Sequence, residues 1–153
     1  MRSTQRLAPA IVAGAVAAVI GAAVWAAIAV FTKQEIGWIA IGLGFVVGMA
    51  VRFAGNGFEV RYAVIGAFLS LAGVVLGKFL ALCGAFAQMS GVPFSDILQN
   101  FPYQELPAIM RESFQFIDLL FYALSVWCGW KYARREIDDA EIAAAHRTLK
   151  SER

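Results

Sequence analysis

Three ionisable residues, Glu35, Lys78 and Asp118, lie within or beside long apolar stretches of this 153-residue chain. Each lies 13 to 17 residues from a basic residue that flanks the other end of its stretch. In a helix these separations correspond to ~25 Å for Glu35 and Lys78 and ~20 Å for Asp118. The spacing therefore predicts one layer in which two carboxylates and one ammonium group come to a similar height.

Such a layer has two interpretations. It is either a polar site for an ion, a proton or a small substrate, or a structural pair between Lys78 and Asp118. In the second case Lys78 snorkels outward and Glu35 lies at the membrane interface. An unpaired charge at the centre of a membrane helix is unfavourable by ~2.5–3.5 kcal/mol even on insertion scales. We favour the structural pair, because transporters usually show more midplane polar groups or broken helices.

The elements that position these residues are predicted to be membrane-spanning helices. Hydrophobic residues make up 60% of the chain and charged residues 16%, against about 45–50% and about 25% in soluble domains. We expect an all-α, integral membrane four-helix bundle in residues 1–135, with a short interfacial helical connector over 89–113 and a cytoplasmic tail over 136–153. The predicted spans are 7–31, 37–53, 62–86 and 114–133. The first is longer than the ~7–15 apolar residues of a signal peptide, so we expect it to be retained rather than cleaved.

Basic residues indicate the orientation of the bundle. With four spans, most of them flank helix ends that lie on one side of the membrane, while Lys33, Lys78 and Arg111 fall toward the other. Because cytoplasmic flanks are enriched in Lys and Arg, the pattern predicts that both termini are cytoplasmic. The residues of this positive flank are Arg52, Arg61, Lys131, Arg134 and Arg135, together with Arg2 and Arg6.

Small residues recur at helical spacing in the second and third predicted spans. Gly44 and Gly48 form one GxxxG motif and Gly73 and Gly77 another, while Ser70, Gly77 and Gly84 repeat every seven residues. This spacing lets helix backbones approach closely in a membrane. It supports either a homo-oligomer seam or packing within one chain, and the second is our expectation because GxxxG is common in any tight bundle.

The remaining residues offer little chemistry. Cys83 and Cys128 are predicted at opposite ends of their helices and have no CxxC partner, and His146 is the one histidine. We therefore expect no metal site, no cofactor and no disulfide. No nucleophile–base constellation is present, so an enzyme is not expected. Basic residues are not interleaved with aromatics in a cluster, which argues against a nucleic-acid partner.

Three segments together are similar to a known kind of protein. They are GWIAIGLGFVVGMAVR (37–52) with the Gly-Asn-Gly turn after it, YAVIGAFLSLAGVVLGK (62–78) and FIDLLFYALSVWCGWKYA (116–133). This combination resembles small four-helix bacterial inner-membrane proteins of unassigned function. The resemblance covers the second to fourth predicted helices and implies a bacterial inner-membrane location, but it implies no activity for any residue.

These observations lead to one expected function and one alternative. We expect a small structural or accessory subunit that contacts the lipid bilayer and packs with itself as a homo-oligomer or with a larger membrane protein. The second and third helices would supply the seam. The alternative is a small channel or transporter that uses the layer of Glu35, Lys78 and Asp118.

Overall fold

The computed structural model describes residues 6–33, 37–56 and 59–134, and within these ranges the chain forms six α-helices and no strand. The helices are α1 (Leu7–Thr32), α2 (Trp38–Gly55), α3 (Val60–Ser90), α4 (Phe94–Asn100), α5 (Leu106–Glu112) and α6 (Phe116–Ala133). The predicted all-helical class is confirmed. By length and composition α1, α2 and α3 can each cross a membrane. The helix α6 is less apolar, because its 18 residues include Asp118 and Lys131, so the fourth span stays a prediction.

Local signals set the helix ends. The helix α2 ends where Asn56 adopts a left-handed conformation with φ 48°, and α3 ends in the same way at Gly91 with φ 69°. Asn and Gly enter this region more readily than other residues. The helix α3 is therefore longer than the predicted 62–86 segment. Its last residues include Gln88 and Ser90, and nothing in them stops a helix before Gly91.

The two central helices are α2 and α3. The helix α1 packs against both of them, and α6 packs against the same two helices. The backbone N–H of Arg6 donates to the carbonyl of Gly55 at 2.9 Å, which joins the start of α1 to the end of α2. Gly66, near the start of α3, lies against Ala133 at the end of α6. The starts of α1 and α3 and the ends of α2 and α6 therefore lie at one end of the assembly.

The helix α1 buries mainly small residues, with Trp25 as the one large exception, and exposes most of its large apolar residues. The buried residues are Ala10, Gly14, Ala18, Ala22, Trp25, Ala26 and Ala29. The exposed residues include Val12, Val16, Val19, Ile20 and Val24. A helix on a water-soluble core buries its large apolar side chains, whereas helices in a bilayer bury small ones and leave large ones to the lipid. This distribution supports membrane association.

The connector between α3 and α6 forms the two short helices α4 and α5, as the sequence predicts. The helix α4 packs on α3. Three aromatic rings help to attach the connector, because the ring centroids of Phe79 and Phe101 are 5.2 Å apart and those of Phe101 and Tyr103 are 5.5 Å apart. The connector thus returns to the side of α3 and brings the chain to the start of α6 near Lys78.

Candidate functional site around the Lys78–Asp118 pair

Lys78 projects from α3 into the interior, where its side chain is only 2% exposed. Its Nζ donates to Asp118 Oδ2 at 2.5 Å and to the carbonyl oxygen of Ser113 at 3.0 Å. Ser113 is the C-cap of α5, and carbonyls at a helix end lack partners within the helix. The expected outward snorkelling of Lys78 is therefore wrong, because these two oxygens supply polar partners inside the protein.

Asp118 has two roles at the start of α6. It is the third residue of the helix and forms a capping box with Gln115, whose backbone N–H donates to Asp118 Oδ2 at 3.0 Å. The same oxygen accepts the hydrogen bond from Lys78. One carboxylate oxygen thus fixes both the helix start and the ammonium group. Together the two side chains join α3, the end of α5 and the start of α6.

A cavity of about 360 Å³ borders this pair. It is lined by residues of α1, α3 and α6 and by the residue before α2, which makes it a meeting point of the four long segments. The lining residues are Trp25, Gly37, Lys78, Gln115, Ile117, Asp118 and Phe121. The cavity is large enough for several water molecules, so the pair lies beside a space that a small molecule could enter.

The predicted charge layer is described only in part. Lys78 and Asp118 meet at one height, as predicted, whereas Glu35 lies outside the described residues. Gly37, two positions after Glu35 in the sequence, lines the cavity beside the pair. The described part of the layer therefore contains one cation and one anion in direct contact.

The glycines of the two GxxxG motifs contact other helices of the same chain. A Cβ added at Gly44 would collide with the carbonyl of Ser125 in α6, and one at Gly77 would lie 2.7 Å from the ring of Trp25 in α1. Real Cβ atoms do not approach other atoms so closely.

The other small residues that the sequence predicts at helix contacts are also covered by the same chain. Gly48 lies against Tyr132 of α6, Gly73 against Leu43 of α2 and Ala18 of α1, and Gly84 against Val30 of α1, while Ser70 is fully buried. These small residues therefore pack against helices of the same chain, which is the second of the two interpretations. A homo-oligomer stays a prediction.

The tightest contact between α3 and α6 was not predicted. A Cβ at Gly129 would collide with Ser70 Oγ and would lie 2.5 Å from the carbonyl oxygen of Gly66. Ser70 Oγ donates to that carbonyl at 2.6 Å, which removes the hydroxyl as a free donor. The signal for this contact was present in the sequence, since Ser125, Gly129 and Ala133 repeat every four residues on α6.

The cations of the predicted positive flank lie at the end of the assembly opposite Lys78. Arg52 is in the last turn of α2, Arg61 in the first turn of α3, and Lys131 in the last turn of α6. Arg134 follows α6 as its C-cap, and Arg135 lies outside the described residues. Arg61 pairs with Glu59 at 2.5 Å. The predicted clustering at one end is thus present for these four residues and for Arg6, which lies beside Gly55 at the end of α2. Arg2 lies outside the described residues.

The remaining candidate residues do not form a second site. Cys83 and Cys128 are buried free thiols. Among the residues that the structure describes, no group of three or more His, Cys, Asp and Glu side chains is placed to hold a metal ion. His146 and the predicted tail over 136–153 lie outside the described residues. Comparison of the chain with protein-family models, curated proteins and solved structures finds no significant match.

Proposed function

We propose that this chain is a small multi-pass membrane protein with a structural or accessory, non-enzymatic role. It packs with itself or with a larger membrane protein. Its four spans are α1, α2, α3 and α6, and α4 and α5 lie at the outer surface. The resemblance of its second to fourth predicted helices suggests the bacterial inner membrane.

This proposal rests on one observation, which is that the buried polar groups bind one another and join helices. The ammonium of Lys78 binds the carboxylate of Asp118 and the carbonyl of Ser113. That carboxylate also caps α6 through Gln115. Groups that hold helices together in this way are less suited to binding and releasing a substrate. These contacts support a structural role for the Lys78–Asp118 pair, which is the only buried ion pair between described residues.

The proposed orientation places both termini in the cytoplasm. It is supported by the cluster of Arg52, Arg61, Lys131 and Arg134 at one end of the helices, since basic flanks favour the cytoplasmic side. An even number of spans then returns the chain to the side on which it begins. The fourth span also agrees with the packing of α6 against α2 and α3.

Because the glycines are covered within the chain, a partner must contact other surfaces. Large apolar side chains on the outside of the helices are available, among them Val16 on α1, Phe68 on α3 and Leu120 on α6. A photo-crosslinking amino acid at each of these positions tests the proposal in native membranes. We expect a protein adduct from at least one position. Val47, which is fully buried, is the matched control and gives no adduct to another chain.

The absence of protein adducts from all three exposed positions, with lipid adducts instead, would contradict a role as a subunit. In that case the apolar exterior serves only to contact lipid.

The cavity beside the ion pair favours one second candidate, a small channel or transporter. About 360 Å³ of space next to Lys78 and Asp118 is enough to let water or a proton carrier reach the pair. Proton flux into proteoliposomes, measured with an entrapped pH dye, tests this candidate. A transporter loses flux when Lys78→Met and Asp118→Leu are combined, whereas the structural proposal predicts no specific flux in either protein.

A further inference from the structure

The end of α6 carries two cations that lie over tryptophan rings. Lys131 Nζ is 4.9 Å from the ring centroid of Trp127, and Arg134 Cζ is 5.8 Å from that of Trp130. The two tryptophans are 53% and 37% exposed, respectively. A cation within about 6 Å of an aromatic centroid is attracted to the ring face. The rings therefore hold both cations in place at the surface of the assembly.

Neither cation is neutralised by a carboxylate among the described residues. Arg61, at the same end of the assembly, differs in this respect because it forms an ion pair with Glu59. An aromatic ring attracts a cation but does not cancel its charge. Within the described part of the chain, the charges of Lys131 and Arg134 therefore have no carboxylate partner and lie next to exposed aromatic surface.

The neighbouring helix α2 extends this surface toward the interior of the membrane. Phe45 of α2 is 43% exposed and stacks edge-to-face on Tyr132, with ring centroids 4.8 Å apart. Gly44 lies against Ser125 and Gly48 against Tyr132, so α2 and α6 run in the same direction. The cations thus lie at the helix ends, while the ring of Phe45 lies deeper along the helices.

We propose that Phe45, Trp127, Trp130, Lys131 and Arg134 form a binding surface for an anionic phospholipid, called here the α2–α6 lipid surface. The lipid phosphate lies between Lys131 and Arg134, and an acyl chain follows the rings toward Phe45. Charge selects the headgroup, because a zwitterionic lipid brings its own cation next to the two basic side chains. This inference rests on the proposed membrane embedding of α6.

Native mass spectrometry of the full chain in detergent tests this surface. The protein is titrated with phosphatidylglycerol or with phosphatidylcholine that has the same acyl chains, and the dissociation constant of the first lipid adduct is measured. Juxtamembrane cations contribute about fivefold each to the binding of an anionic surface, and thus about 30-fold for two. We expect the wild-type chain to prefer phosphatidylglycerol by about this factor.

Two variants show which residues cause the preference for phosphatidylglycerol. Combining Lys131→Gln with Arg134→Gln should abolish it, whereas Arg61→Gln, which removes the same kind of charge at the same end, should leave it intact. Equal binding of the two lipids by the wild type would overturn the inference. So would a preference that survives in the double variant, or one that Arg61→Gln reduces as strongly.

The same spectra separate this inference from the proposed function. The protein mass reports whether the chain assembles with itself or with another protein, and the adducts report which lipid it binds. A lone chain that retains phosphatidylglycerol contradicts only the subunit role. An assembled chain that binds both lipids equally contradicts only the lipid surface.

Discussion

Replacing Lys78 by methionine tests the structural role of the ion pair most sharply. Methionine keeps an unbranched side chain that ends at Cε but removes the ammonium group, so Asp118 and the Ser113 carbonyl lose a donor inside the protein. Removing one partner of a buried pair typically destabilises a protein by about 3–5 kcal/mol. The side chain of Asp118 is 15% exposed and keeps the hydrogen bond from Gln115. We therefore expect a loss of about 3 kcal/mol in the free energy of unfolding, at the lower end of that range.

A second change should reverse most of this loss. Combining Lys78→Met with Asp118→Asn removes both charges but leaves an amide oxygen that accepts the N–H of Gln115. Replacement of both members of a buried pair is often close to neutral, because neither charge then remains unpaired. The double variant should therefore have a larger free energy of unfolding than either single variant.

The assay is reversible unfolding in mixed micelles, followed by helical ellipticity as the fraction of sodium dodecyl sulfate rises. Lys33→Met is the matched control, since Lys33 is exposed and its loss should change stability by less than about 0.5 kcal/mol. The reasoning is refuted if Lys78→Met is as stable as this control. It is also refuted if the double variant loses the sum of the two single losses.

Three further predictions concern packing, burial and topology. Gly44→Ala should destabilise the protein by about 1–3 kcal/mol through a backbone collision, whereas Gly42→Ala should be tolerated because a Cβ there meets nothing within 4 Å; the same unfolding assay compares them. Cys83 and Cys128 are 0% and 6% exposed, so neither should react with a maleimide until the protein unfolds, as followed by mass. In contrast Ser95→Cys, at an exposed position of α4, should react with a membrane-impermeant maleimide in intact spheroplasts.

One specific result would contradict each of these three predictions. Equal stability of the Gly44→Ala and Gly42→Ala variants would show that α2 and α6 do not approach as described. Rapid labelling of both native thiols in the folded protein would contradict their burial. Labelling at position 95 only after the membrane is permeabilised would place α4 in the cytoplasm and exclude the proposed orientation.

Most of the helical architecture could be predicted from the sequence. Long, predominantly apolar stretches identify α1, α2 and α3 because the bilayer imposes a length and an apolar composition on each span. The pairing of Lys78 with Asp118 follows from the same constraint, since opposite charges at one height reduce each other's desolvation penalty. The sequence was less informative for α6, because Asp118 and Lys131 reduce its apolar character.

Contacts that depend on which helix faces which could not be predicted. The spacing of Gly44 and Gly48 shows that a backbone approaches, but not that the backbone belongs to α6 of the same chain. Likewise, nothing near Lys78 in the sequence indicates Ser113 as its second acceptor, because that contact depends on how the connector folds back. The cavity beside the pair arises from the ends of separate helices and has no local sequence signal.

The mass of the complex extracted from native membranes tests the central claim of a structural or accessory role most directly. The chain has a mass of 16.6 kDa. Extraction in a mild detergent that keeps lipids bound, followed by native mass spectrometry, should give a defined assembly that contains several copies of the chain or a second membrane protein in fixed ratio. A single chain of 16.6 kDa with lipid alone, obtained at every detergent concentration, would contradict the account.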